Sequence, residues 1–191
     1  MSTPDRLHFT GDADADALLA SDPLALLIGF GLDQQVTVQK AFYGPYELQR
    51  RLGHLDAQRI TETDPGELEA VFRKQPVIHR FPANMAKRTQ ALCGAIVRDY
   101  GGRAERIWTE AGDARELEAR LAALPGFGEM KVQGMLAVLG NRFGVRPPGW
   151  EDVAPTQPTL GDVDSPESLL SYQSAKRARK AELRARPGDQ G

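Results

Sequence analysis

The sequence predicts an all-α fold, and three observations support this prediction. Apolar residues recur at helical spacing along most of the chain, for example over residues 82–100 and 132–143. Residues that favour helix starts precede several of these segments. Alternation of apolar and polar residues is nowhere long enough to indicate a strand, and residues 36–38, the nearest case, lie inside a longer helical pattern.

Local signals give the order of the elements. Asp12 and the pair Asp22-Pro23 are typical of helix N-termini, because aspartate caps free amides and proline suits the first turn. Asp113 and Glu116 have the spacing of a capping box and open a helical hairpin over about residues 113–143. Residues 144–161 carry four Pro and three Gly, which predicts a loop before the last helix.

Composition narrows the function classes. The hydrophobic share of 41% and the charged share of 26% are those of a globular chain with a core. Cys93 is the single cysteine, which excludes an internal disulfide and a four-cysteine iron–sulfur cluster, and with three histidines a zinc hydrolase is not expected. The chain shows neither a signal peptide nor an apolar stretch of membrane-spanning length, so we expect a cytoplasmic monomer without membrane contact.

Charge is segregated along the chain. The 24 basic and 26 acidic residues give a net charge of -2, which argues against a uniformly basic surface. Residues 176–186, however, carry six basic side chains and one acid, whereas residues 12–16 and 61–70 carry only acids. The sequence therefore predicts a domain over residues 1–174 and a basic C-terminal helix or tail over residues 175–191, which either binds phosphates or is simply solvated.

A short hairpin motif, Leu124-Pro125-Gly126-Phe127-Gly128, lies between two amphipathic segments. Pro125 ends the first helix, and the two glycines allow a tight turn and close approach of another backbone. The free N–H groups at the start of the second helix would then lie at an exposed tip, where a phosphate is a natural ligand. The alternative is a tight helical hairpin that binds nothing.

Other segments extend this pattern. Leu32-Asp33-Gln34-Gln35-Val36-Thr37 and the later segment Phe81-Pro82-x-x-Met85 come before the hairpin, and a Gly/Pro-rich loop with acidic residues follows it. Over roughly residues 22–169 the chain resembles the helix-hairpin-helix/Gly-Pro-Asp superfamily of base excision DNA repair glycosylases, and is most similar to a small bacterial subfamily of it.

The resemblance implies a two-lobed helical fold and a base excision activity. A damaged or mismatched base would be flipped from double-stranded DNA into a pocket between the lobes. An aspartate would stabilise the positively charged sugar while water attacks, and some members add a lysine nucleophile. A non-catalytic duplex-DNA-binding module that retains the hairpin is the alternative. The lesion itself is not predicted.

The lysine of the bifunctional branches is the seventh residue of the motif, where this chain has Met130. Lys131 comes one residue later, and one residue turns a helix by about 100°. We therefore expect a monofunctional N-glycosylase in which Lys131 contacts a phosphate. Met130 is either a wall of the base pocket or an ordinary surface residue.

The catalytic aspartate has two candidates. Asp162 ranks first because the family's aspartate caps the last helix, and Asp152 ranks second because it lies nearer to the family's distance from the hairpin.

The remaining expectations concern binding. Gln34 and Gln35 either fill the gap left by the flipped base or are solvated, and Trp150 either stacks on a base or anchors its loop. The predicted DNA contacts of the hairpin are Pro125, Gly126, Phe127, Gly128, Glu129 and Lys131. The resemblance also implies a monovalent cation, K⁺ or Na⁺, on the backbone carbonyls of Ala122, Leu124 and Phe127, and no other cofactor.

Overall fold

The structure is a computed structural model that describes residues 3–185. Every regular element in this range is helical, which confirms the all-α prediction. The α-helices are α1 (Ala13–Ser21), α2 (Pro23–Leu32), α3 (Val38–Leu52), α4 (Ala57–Glu62), α5 (Pro65–Arg73), α6 (Pro82–Tyr100), α7 (Arg106–Thr109), α8 (Ala114–Ala122), α9 (Glu129–Arg142), α10 (Trp150–Val153) and α11 (Pro166–Ala185). A 3-10 helix, Leu160–Asp162, lies between the last two.

Aspartate caps begin the helices where the sequence predicts them. The carboxylates of Asp12 and Asp22 each accept two backbone N–H groups of the following turn. Asp113 caps α8 by accepting the N–H of Glu116 at 2.8 Å. The Glu116 carboxylate accepts the N–H of Gly112 at 2.7 Å, one residue before the expected partner. These bonds satisfy amides that a helix start leaves free.

Helix α2 is the central element of the core. Eight of its ten residues are buried, and α1, α3 and α6 pack around it. The ring of Phe42 on α3 makes edge-to-face contacts with Phe9 at 5.0 Å and with Phe30 at 5.1 Å. Each buried phenylalanine contributes about 1.5–3 kcal/mol. Because α2 is enclosed on nearly all sides, the turn that follows it is held in a fixed place.

The helices fall into two packing groups. Helices α1 to α6 pack mainly against one another, and α7 to α11 pack with the 3-10 helix. The groups touch at the end of α2, where the Phe30 ring lies against Gly134 and Lys131 is hydrogen-bonded to Gly31. The predicted boundary after residue 174 falls inside α11, and residues 186–191, part of the predicted basic tail, lie outside the described residues.

The Pro-rich segment 144–161 is a loop interrupted by α10 and the start of the 3-10 helix. Two close contacts fix it to α9. The Trp150 ring covers Gly140 so closely that a Cβ there would lie 2.1 Å from the ring. A Cβ on Gly161 would likewise lie 2.5 Å from the backbone of Ala137. Only glycine fits at either position.

Within residues 3–185, no single helix has the length and apolarity needed to cross a membrane. Helices α1 and α2 would meet that criterion only as a pair, and they are bent by 113° at their junction.

Candidate functional site

The predicted hairpin joins α8 to α9 through a tight turn. Gly126 has a φ of +80°, a conformation that favours glycine. The Phe127 N–H donates to the Leu124 carbonyl at 3.1 Å, which closes the turn. The side chains of Leu124 and Phe127 are both buried, so they anchor the turn in the core. Gly126 and Gly128 are exposed and form its tip.

A cleft of about 830 Å³ opens beside this tip. One wall is formed by the hairpin and the first turns of α9, and the base by the end of α2 with the turn that follows it. Residues 155–160 of the Pro-rich loop and one side of α11 complete the cleft. Four segments that are distant in sequence therefore meet around one cavity.

Six of the sequence-predicted residues line this cleft, namely Gln34, Gly126, Gly128, Glu129, Met130 and Lys131. Gln35 is exposed next to it and has a φ of 55°, which is uncommon outside glycine. Pro125 borders a second, smaller cavity, which Gly126 also lines. The buried side chain of Phe127 leaves only its backbone for a ligand.

Met130 is an exposed apolar residue at the cleft. Its exposed fraction is 81%, although it lies in the first turn of α9 on the cleft wall. The side chain is therefore exposed to solvent and also lines the cavity. A solvated thioether here is free to pack against an incoming ligand.

Lys131 extends from α9 to the end of α2. Its ammonium donates to the carbonyl oxygen of Gly31 at 3.1 Å. Burial lowers the pKa of Lys131, while the nearby Asp33 carboxylate raises it. The side chain thus bridges the two packing groups inside the cleft.

The acidic residue best placed for chemistry is Asp33, which is not among the site residues predicted from the sequence. It follows α2 directly and lines the cleft. Burial raises the pKa of Asp33, and the opposite charges of Lys176 and Lys131 lower it. Asp33 lines the cavity together with the two lysines. Its position beside Gln34-Gln35 in the motif was the available sequence signal.

His79 holds the turn that carries Asp33 and Gln34. Its Nε2 lies 3.1 Å from the carbonyl oxygens of both Leu32 and Gln34, and its Nδ1 accepts the N–H of Phe81 at 3.1 Å. Because Nδ1 accepts, the hydrogen is on Nε2 and the ring is neutral. Burial lowers the pKa of His79, in agreement with this arrangement.

The side chain of Gln34 is held as well. Its amide oxygen accepts a hydrogen bond from the guanidinium of Arg88 on α6. Gln34 is therefore a fixed wall of the cleft, and Gln35 is the residue of the pair that projects into solvent.

Neither predicted catalytic aspartate lines the cleft. Asp162 is exposed and accepts the Thr159 N–H at 2.8 Å, so it closes a capping box on the 3-10 helix. Asp152 is exposed on α10. This placement was not predicted by the distance of Asp152 from the hairpin or by the position of Asp162 before the last helix. Both residues belong to short elements, α10 and the 3-10 helix, and lie outside the lining of the cavity.

Trp150 also lies outside the cleft. Its exposed fraction is 6%, and its ring packs on Gly140 of α9. This placement corresponds to the loop anchor and not to the base-stacking residue. The signal for it, a small residue on another helix, is not local in sequence.

The hairpin carbonyls proposed for a monovalent cation belong to the turn just described. The Leu124 carbonyl already accepts the Phe127 N–H, which leaves one lone pair for an ion. Among residues 3–185, no cluster of three or more His, Cys, Asp or Glu side chains is placed to hold a metal. The thiol of Cys93 is buried, which raises its pKa to about 12.

No protein-family model, curated protein or solved structure matches this chain.

Proposed function

We propose that this protein binds double-stranded DNA and hydrolyses the N-glycosyl bond of a damaged or mismatched base. The observation that carries the proposal is that the hairpin tip and the Asp33 carboxylate line one cleft. The tip offers backbone N–H groups that suit a DNA phosphate, and the carboxylate lies where a flipped nucleotide would enter.

The proposal includes the two-lobed arrangement of the glycosylases, and the two packing groups of helices support this part of it. The cleft lies where the groups meet, and its volume of about 830 Å³ falls in the usual range of small-ligand sites. Met130 and Gln34 would form walls of the base pocket. Gln35, exposed at the rim, would fill the gap left in the duplex.

Asp33, in place of Asp162 or Asp152, is the proposed catalytic carboxylate. As the bond between base and sugar breaks, its electron pair leaves with the base and positive charge develops on the sugar. The Asp33 carboxylate would stabilise that charge and accept a proton from the water that adds to the sugar. A raised pKa suits this role, because it makes the carboxylate a stronger base.

Lys131 has a binding role in this proposal, and the enzyme is monofunctional. Its ammonium already donates to the Gly31 carbonyl, so it provides positive charge near an incoming phosphate. If a monovalent cation binds the carbonyls of Ala122, Leu124 and Phe127, it would add positive charge at the hairpin.

The test is a panel of duplex oligonucleotides carrying uracil, hypoxanthine, alkylpurines, 8-oxoguanine or mismatches, treated with alkali to reveal abasic sites. We expect strand cleavage with at least one lesion, and loss of about 100-fold or more in rate for Asp33→Asn. Asp162→Asn and Asp152→Asn are matched controls that should retain activity. Salt-sensitive duplex binding without cleavage of any substrate would reject the enzyme and leave the DNA-binding module.

A further inference from the structure

The C-terminal half of α11 carries basic side chains that form no salt bridge with described residues. Within the described residues, none of Lys176, Arg177, Arg179, Lys180 and Arg184 forms an ion pair. All five are exposed. The segment therefore presents a concentration of positive charge, of which only the Lys176 ammonium lies near enough to a described carboxylate, that of Asp33, to affect its pKa.

Two arginines on other helices have acidic partners. Arg51 pairs with Glu47 at 2.8 Å, and Arg120 pairs with Glu116 at 2.6 Å, each one turn away on the same helix. In α11 only Glu182 accompanies the basic run, and it forms no ion pair with the described basic side chains. Like charges three or four residues apart on one helix, such as Lys176 and Lys180, repel one another, and a bound anion would relieve that repulsion.

Some of the basic residues of α11 lie on the side of the helix that faces the cleft. At about 100° per residue, Tyr172, Lys176, Arg179 and Lys180 lie within one stripe of about 100°. Three of them, Tyr172, Lys176 and Arg179, line the cleft opposite the hairpin. The Lys176 ammonium lies 5.8 Å from the centre of the Tyr172 ring, which orients it along the same face.

The start of α11 is fixed to the body of the protein. The side-chain amides of Gln39 and Gln173 exchange two hydrogen bonds, at 3.1 and 2.7 Å, between α3 and α11. Leu169 is buried in the core. The stripe is thus held at a defined position across the cleft from the hairpin.

We propose that this stripe, Tyr172, Lys176, Arg179 and Lys180, binds the sugar–phosphate backbone of a DNA strand across the cleft from the hairpin. The inference rests on the DNA binding proposed above, and adds a second contact surface to it. Regularly spaced phosphates match a stripe of unpaired cations, and the half-buried Tyr172 ring offers a stacking surface to a nucleotide. An acidic protein would match the charge but would not need a cleft with N–H donors on its opposite wall.

The experiment measures duplex binding by fluorescence anisotropy at several salt concentrations. The variant Lys176→Ala/Arg179→Ala/Lys180→Ala removes the stripe charges, and Arg59→Ala/Lys74→Ala/Arg115→Ala removes three exposed charges that line neither cavity. A charge-preserving variant, Lys176→Arg/Arg179→Lys/Lys180→Arg, is the second control. Circular dichroism melting checks that each variant is folded.

We expect the stripe variant to bind more weakly, with a plot of log affinity against log salt that is shallower by about 2.7. This value follows because each lost phosphate contact removes about 0.9 from the slope. Both controls should keep the wild-type slope. If the wild type binds the duplex but the two alanine variants have the same salt slope, the proposed role of the stripe is wrong and the DNA-binding proposal still stands.

Two further outcomes separate this inference from the proposed function. If the wild type binds no duplex at all, the DNA-binding proposal fails and this inference fails with it. If polyglutamate competes with the duplex as well as unlabelled DNA does, the stripe is a site for acidic proteins and the inference is wrong. Persisting stripe-dependent binding without base excision would support the inference and reject only the enzyme.

Discussion

The ammonium group of Lys131 donates to the carbonyl oxygen of Gly31 at 3.1 Å, across 100 residues of sequence. This bond ties the second helix of the hairpin to the last turn of α2. Replacing Lys131 with methionine should lower the free energy of unfolding by about 1.5 kcal/mol, because the carbonyl loses a charged donor. Urea denaturation measures this change. Lys87→Met, at an exposed site, is the control and should leave the midpoint unchanged.

The same bond predicts that Lys131 does not act as a nucleophile. Although burial lowers its pKa, the donor role towards Gly31 favours the ammonium over the free amine. We expect no covalent adduct when borohydride is added to the protein with an abasic duplex. An adduct that disappears in Lys131→Ala would show that the enzyme is bifunctional.

Asp33 should make stability depend on pH in a distinctive way. The pKa of Asp33 is raised in the folded state. The protonated carboxyl group therefore stabilises the fold below the unfolded pKa of 3.8, and this stabilisation is lost as pH rises through the folded pKa. At neutral pH, Asp33→Asn should therefore be at least as stable as the wild type. When the pH is lowered towards about 4, the free energy of unfolding of the wild type should increase relative to that of the variant. Urea midpoints at both pH values test this, and a constant difference would contradict it.

His79 should have the opposite pH dependence. Its pKa is lowered in the fold, so its contribution to stability is present above the unfolded pKa of 6.5 and is lost as pH falls through the folded pKa. Protonation would place a hydrogen on Nδ1, against the N–H of Phe81. The expected slope is at most about 1.4 kcal/mol per pH unit. The variant His79→Gln should lose this pH dependence, whereas His8→Gln should keep it. Equal slopes in the two variants would show that His79 is not its source.

The glycines under the Pro-rich loop should not tolerate a methyl group. Gly161→Ala would place Cβ 2.5 Å from the backbone of Ala137, and we expect a loss of about 1–3 kcal/mol in thermal or urea denaturation. Gly94→Ala in α6 is the matched control, since its nearest neighbour would be 3.8 Å away. That substitution should stabilise the helix by about 0.5–1 kcal/mol. Similar effects at the two sites would mean that the loop can move away from α9.

Helix boundaries were predictable because their causes are local. The cap of Asp22 and the ring of Pro23 act within one turn, and residues 82–100 form α6 as their apolar spacing predicts. The hairpin was predictable for the same reason, since Gly126 has the positive φ that its turn requires.

The site was harder to predict because it depends on distant neighbours. Asp33 shares the cleft with Lys131 on α9 and Lys176 on α11, and the motif around Asp33 does not indicate these two distant neighbours. Trp150 is buried because a glycine on another helix makes room for its ring. The position of Asp162 just before the last helix favoured it as the catalytic residue, but a capping bond within its own turn directs that carboxylate to Thr159.

The Pro-rich loop is clamped to α9 at both ends, by Trp150 on Gly140 and by Gly161 on Ala137. Residues 155–159, which lie between these two contacts, line the cleft. The sequence of this stretch can therefore vary without changing the two contacts that hold the loop on α9. Exchange of this stretch alone would reshape the entrance to the cavity, so ligand preference could diverge, or be redesigned, separately from folding.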